Sequence, residues 1–313
     1  MRKGPFASVV LLFAAAAFGE TMPVPAPTAK PAAPTSADVL AASKSSDWRP
    51  IPPENTLYLD LASGRVVIEL APAFAPEHFA NIVKLVREKY YDGLAIVRSQ
   101  DNYVVQWGDP NGDDKAKAKS LGDAKATLPG ELTRANASAL PFTRLEGPDG
   151  YAPESGFSNG FPAGRDPKSG EAWLAHCYGM VGVGRGDDPK SGNGSELYVV
   201  IGNAPRHLDR NVTVVGRVVK GIELLSTLPR GSGPLGFYDK PAQFVPIESV
   251  RLAADLPAKE RTNLEALRTD TATFSAWIES RRNRRESWFV RPAGYVSLCN
   301  VPLPVRPAAK PAR

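Results

Sequence analysis

Short runs of alternating apolar and polar positions, separated by Gly, Pro, Asn and Asp, dominate the chain from about residue 56 to 252 and predict strands. Residues 56–61 and 65–70 read as two strands around the turn Ala62-Ser63-Gly64. A helix follows from about Pro76, with proline in its first turn and Phe79, Ile82, Val83 and Val86 at i, i+3, i+4 and i+7. His78 falls off that apolar stripe and reads as a solvated surface residue. Further strands are expected at 95–98, 103–108, 180–184, 197–201, 213–219 and 247–252, with a short helix at 221–228. That makes about eight strands and few helices, a pattern favouring a closed antiparallel barrel filled by side chains.

The candidate chemistry sits on two of these strands. Arg98 ends one, and Tyr103-Val104-Val105-Gln106-Trp107-Gly108-Asp109 forms the next. Strict alternation puts Tyr103, Val105 and Trp107 on one face and Val104 and Gln106 on the other. A cation beside an apolar patch and an amide suits a peptide backbone better than a phosphate or a metal. Gly194-Ser195-Glu196-Leu197-Tyr198-Val199-Val200 repeats the reading downstream.

These two segments, together with residues 179–185 and 208–218, resemble the cyclophilins, the peptidyl-prolyl cis-trans isomerases. The resemblance covers roughly residues 57–254, interrupted by a long insertion. It implies an eight-stranded antiparallel barrel capped by two helices, mainly β, with a peptide groove on its outer wall. It also implies prolyl isomerisation of unfolded or extended proline-containing polypeptides without a cofactor, because the chemistry is rotation. By the resemblance, Arg98 is the catalytic residue and Gln106 orients it. Tyr103, Val104, Tyr198 and Leu208 match the proline pocket, and Gly184, Arg185 and Glu196 line the peptide path.

Several positions depart from that family. His207 stands where many members have tryptophan, and Val212 replaces a pocket histidine. Both aromatic pocket residues are tyrosines, whose hydroxyls need partners. Glu196 replaces a glutamine and is expected to pair with Arg98, competing with substrate for its donors. Weak binding of cyclosporin-type ligands is expected from His207. A barrel that only holds proline peptides, without useful turnover, is the alternative; an envelope scaffold acting through its insertion and C-terminal region is another.

Composition adds organisation. The 313 residues are 42% hydrophobic and 23% charged, ordinary for a folded protein. A net charge of +5 owes much to Arg281, Arg282, Arg284 and Arg285, and no nucleic-acid module accompanies it. Residues 1–19 read as a signal peptide: Arg2 and Lys3, then an apolar run too short for a comfortable membrane span. Residues 20–47 read as a Pro/Ala-rich linker, 48–254 as the isomerase domain with a loop insertion at 110–171, and 255–313 as a helical extension. In that extension Thr271 or Thr273 opens an amphipathic helix, and Trp288, Phe289, Tyr295 and Leu298 are expected to anchor it. Phe142, Tyr151, Phe157 and Phe161 suggest that part of the insertion packs onto the barrel.

Cys177 and Cys299 either form one disulfide, as a periplasmic or secreted protein allows, or remain two separate buried thiols. A monomer is expected. Residues 109–120 fail as a calcium loop, residues 182–186 lack dinucleotide-loop spacing, and His176-Cys177 has no other ligand at metal spacing. No metal is expected.

Overall fold

In the computed structural model, residues 33–308 are described, apart from 113, 115 and 136. Helix α1 (Ser36–Ala41) is followed by strands β1 (Trp48–Pro50), β2 (Thr56–Leu61) and β3 (Gly64–Leu70), then helix α2 (Pro76–Arg87). Strands β4 (Ala95–Ser99) and β5 (Val104–Gly108) come next. Strands β6 (Arg134–Ala135), β7 (Thr143–Arg144), β8 (Glu154–Ser158), β9 (Phe161–Asp166) and β10 (Glu171–Leu174) occupy the region expected as a loop insertion. Strands β11 (Met180–Val183), β12 (Leu197–Val200) and β13 (Val214–Lys220) precede helix α3 (Ile222–Ser226) and strand β14 (Val245–Leu252). Strand β15 (Leu264–Leu267), helix α4 (Ala272–Arg282) and strand β16 (Val305–Pro307) follow.

Eight strands close into an antiparallel barrel in the order β11-β12-β5-β4-β14-β2-β3-β13. Its interior is filled by Leu57, Leu59, Val66, Ile68, Val105, Trp107, Val181 and Val199, with Ile82 and Leu85 of α2 packed against it. Strands β2 and β3 are apolar on both faces because both are covered. Tyr58 and Val67 point outward into a second cluster with Ile51, Leu264 and Ala266, where β1, β15 and β16 form a three-stranded sheet. At that seam Glu69 accepts from Arg49 Nη1 and Arg217 Nη2, both at 2.7 Å. Burial would raise the Glu69 carboxyl, but the two guanidiniums outweigh it and hold the group below its ordinary range.

Four expectations change. The insertion is not a bare loop: β6-β10-β9-β8-β7 form a five-stranded sheet, and Phe157 and Phe161 pack with Phe274 and Trp277 of α4. Tyr151 instead stays exposed. In the extension Thr271 caps α4, as its sequence suggested, and Leu298 is buried, whereas Trp288 is 81% exposed, its ring edge-on to Phe289. Within the expected linker, Ser36–Ala41 is helical and its Ser36 hydroxyl meets that of Ser280 at 2.9 Å. His78 is buried, with Nδ1 2.7 Å from Glu131 and Nε2 3.1 Å from the Gly192 carbonyl. An apolar-stripe argument misses it because the insertion, not solvent, covers that helix face.

Cys177 and Cys299 are joined as a disulfide, tying the extension to the segment that leads into β11.

Candidate active site

One row of cross-strand partners builds the site. Gly182 on β11 lies opposite Tyr198 on β12, Tyr198 opposite Gln106 on β5, and Gln106 opposite Arg98 on β4. Strict alternation would send Arg98 inward beside Ile96, which is in the barrel core. Instead a register shift between Ile96 and Arg98 makes Val97 an extra residue, and the guanidinium is turned out onto the wall. A second correction concerns Tyr103. Strand β5 starts at Val104, and Asn102 before it has φ 50°, so Tyr103 packs beside Val104 rather than with Val105 and Trp107.

Arg98 is held on three edges. Its Nε donates to the Leu235 carbonyl at 2.7 Å and its Nη1 to Gln106 Oε1 at 3.0 Å, while Nη2 donates to Gln100 Oε1. Among the described residues these bonds engage three of its five N–H donors. The guanidinium carbon also lies 5.6 Å from the Tyr103 ring centroid and 5.3 Å from that of Phe237. Burial lowers the arginine's pKa from its ordinary value, opposed by the nearby tyrosines, yet such a group stays charged at any physiological pH.

A groove of about 1000 Å³ runs past this row and is lined by Arg98, Tyr103, Val104, Gln106, Gly184, Arg185, Glu196, Tyr198, Leu208 and Val212. Tyr103, Val104, Tyr198 and Val212 form its apolar recess, with the buried Val200 in the same cluster. The Tyr198 ring fits because its neighbour is glycine: a Cβ on Gly182 would lie 2.2 Å from Tyr198 Cζ. His207 is exposed and stacks parallel to Tyr103 at 6.4 Å between centroids. Arg185 braces the rim, its Nε and Nη2 donating to the Asn211 carbonyl at 3.1 and 2.9 Å. Glu196 reaches the arginine through an intermediary: Gln106 Nε2 donates to Glu196 Oε2 at 2.8 Å while Gln106 Oε1 accepts from Arg98.

Three groups were missed from the sequence. His176 is fully buried, with Nδ1 3.0 Å from Asp209 Oδ1 and Nε2 2.9 Å from the Tyr198 hydroxyl, so it partners the pocket tyrosine. Nothing local announces this, since Tyr198 and Asp209 lie 22 and 33 residues away. Leu235 and Phe237 also line the groove, from a Gly/Pro-rich loop that carries no periodic signal.

Comparison with known proteins bears on the family and the fold. Residues 56–252 match the cyclophilin type peptidyl-prolyl cis-trans isomerase family. A probable peptidyl-prolyl cis-trans isomerase of Brucella suis is 31% identical over 186 residues, 58% of this chain and 74% of that protein. A putative thylakoid lumen peptidyl-prolyl cis-trans isomerase of Synechocystis is 26% identical over 183 residues, covering 56% of this chain and 44% of its own. The crystal structure of a cyclophilin from Hirschia baltica superposes with a TM-score of 0.66 at 27% identity, covering 88% of this chain and 99% of that one. With a bulge-turned arginine, its glutamine partner and an apolar recess set in one row of a closed barrel, the chain belongs to the cyclophilin-type peptidyl-prolyl cis-trans isomerases.

Proposed function

We propose that Arg98 catalyses prolyl isomerisation by holding the twisted imide while the ring sits among Tyr103, Val104, Tyr198, Leu208 and Val212. The bond to be rotated has a barrier of about 18–20 kcal/mol because the nitrogen lone pair is shared with the carbonyl. A donor to the prolyl nitrogen, or to the prolyl carbonyl beside it, favours the twisted state in which that sharing is lost. Fixed charge of this kind contributes several kcal/mol, since its orientation costs nothing during the reaction. The observation that carries this reading is an arginine fixed by Leu235, Gln106 and Gln100 at the wall of an open groove.

Clients on this reading are unfolded or extended proline-containing polypeptides, because the groove is an open cleft on the barrel wall. The chain acts as a monomer, one protomer supplying every group named, with residues 48–254 as the isomerase unit and 255–313 as its extension. Export to the periplasm or beyond is supported by the apolar run after Arg2 and Lys3, which lies outside the described residues, and by the Cys177–Cys299 bond. Among the described residues no helix is long and apolar enough to cross a membrane. Uncatalysed isomerisation takes tens to hundreds of seconds and limits folding. The test is proline-limited refolding of a model protein with wild type and with Arg98→Ala. Acceleration by wild type, lost about a hundredfold or more in Arg98→Ala, is expected; equal acceleration by both removes Arg98 from the reaction.

A further inference from the structure

We infer that Leu235 and Phe237 form an apolar subsite selecting a bulky aliphatic side chain on the residue that follows the substrate proline. The inference rests on the isomerase reading above and extends it.

The row that builds the site does not end at Arg98. On the side of β4 away from β5, Arg98 pairs with Phe237 as an isolated antiparallel bridge. Gly231 N donates to the Ser99 carbonyl and Tyr238 N to the Val97 carbonyl, each at 2.9 Å, so the loop from 231 to 238 is laced along β4. The order across the wall is therefore Tyr198, Gln106, Arg98, Phe237. Tyr198 marks the prolyl recess at one end, and Phe237 stands on the opposite side of the arginine.

This loop is built rather than slack. Gly233 N donates to the Phe237 carbonyl at 3.0 Å and Phe237 N to the Pro234 carbonyl at 3.2 Å. Leu235 is held at φ 57°, a conformation branched side chains rarely adopt, and from it the carbonyl grips Arg98 Nε. Holding Leu235 there also leaves its side chain 66% exposed, with Phe237 beside it 37% exposed. Two large apolar groups in water beside the reacting centre, in a region continuous with the groove, suit a ligand side chain.

The direction of the substrate follows from chemistry. With the ring in the recess, the carbonyl within reach of Arg98 is the proline's own, which leads to the next residue. That residue leaves the arginine on the Phe237 side.

The test compares cis–trans exchange, by magnetisation-transfer NMR, on the tetrapeptides Ala-Ala-Pro-Ala, Ala-Ala-Pro-Leu and Ala-Leu-Pro-Ala. Wild type should show kcat/KM about fivefold higher for Ala-Ala-Pro-Leu than for Ala-Ala-Pro-Ala, as partial burial of one aliphatic side chain allows. Leu235→Gly suits the positive φ, so it deletes the side chain without disturbing the backbone. Combined with Phe237→Ser it should bring that ratio to about one, the variant's fold being checked by circular dichroism. Equal rates on the first two peptides, a preference carried by Ala-Leu-Pro-Ala, or a ratio surviving the double variant would each overturn the subsite. Arg98→Ala on the same peptides separates the two readings. Activity lost there, with no leucine preference in wild type, removes the subsite alone, whereas activity retained there removes the isomerase site itself.

Discussion

The Tyr198 hydroxyl lies 2.9 Å from His176 Nε2 inside the wall of the barrel. His176 Nδ1 faces Asp209, Arg206 Nε donates to the other Asp209 oxygen at 2.5 Å, and Arg206 Nη1 donates to Asp149 at 3.1 Å. The imidazole thus bridges the Asp209 carboxylate and the tyrosine hydroxyl, one ring nitrogen to each. Burial pushes the Tyr198 phenol up, beyond any physiological titration, so this proton stays. A pocket tyrosine is thus satisfied by a line of groups ending in the insertion.

Removing the far end of that line should be felt through the whole molecule. In Asp149→Ala the Arg206 guanidinium, buried at 6% exposure, loses one of its two carboxylates. A loss of about 3 kcal/mol in denaturant unfolding is expected, and Arg206→Met combined with Asp149→Ala should recover part of it. Strictly additive losses would show that the two side chains are not coupled.

Gly184 is set by Glu196. A Cβ there would lie 2.9 Å from Glu196 Cβ and 3.2 Å from Gln106 Nε2. Gly184→Ala should therefore shift the glutamate and the glutamine that accepts from Arg98, lowering kcat/KM about tenfold. Adding Glu196→Gly, which removes that Cβ, should restore most of it. A single variant as active as wild type would show that the rim repacks at no cost.

The Cys177–Cys299 bond spans 122 residues and joins the extension to the residue after His176. In the chain-entropy model its loss costs about 4–5 kcal/mol. Cys299→Ser, or reduction of wild type, should lower the thermal midpoint. An unchanged midpoint after verified reduction would contradict a stabilising bond.

Acid should weaken the fold through Glu69 and Asp209. Burial raises both carboxyls, but Arg217 and Arg49 at the first, and His176 and Arg206 at the second, more than offset it, leaving each below its ordinary value. The unfolded chain therefore binds these protons first as pH falls. Their contribution is whole above about pH 4.5 and is lost progressively below about pH 4. Thermal midpoints from pH 7 to pH 2.5 should be level and then fall; a level curve throughout would deny both pairs a role.

Local pattern alone determined the strands that become the barrel and helix α2. Alternation and apolar spacing report which face of an element is buried, and most of these faces are buried by the barrel itself. Four short motifs likewise pointed to Arg98, Gln106 and Tyr198. Only the tertiary structure decided which way they face and what they touch. The bulge at Val97 overrules the period that would have buried Arg98, and the turn at Asn102 overrules the one that would have hidden Tyr103. His78 and His176 are buried by segments remote in sequence, Glu196 accepts from Gln106, and Phe237 joins the row by a bridge spanning 139 positions. Periodicity describes a chain against one average surface, whereas these contacts depend on which distant segment closes over each residue.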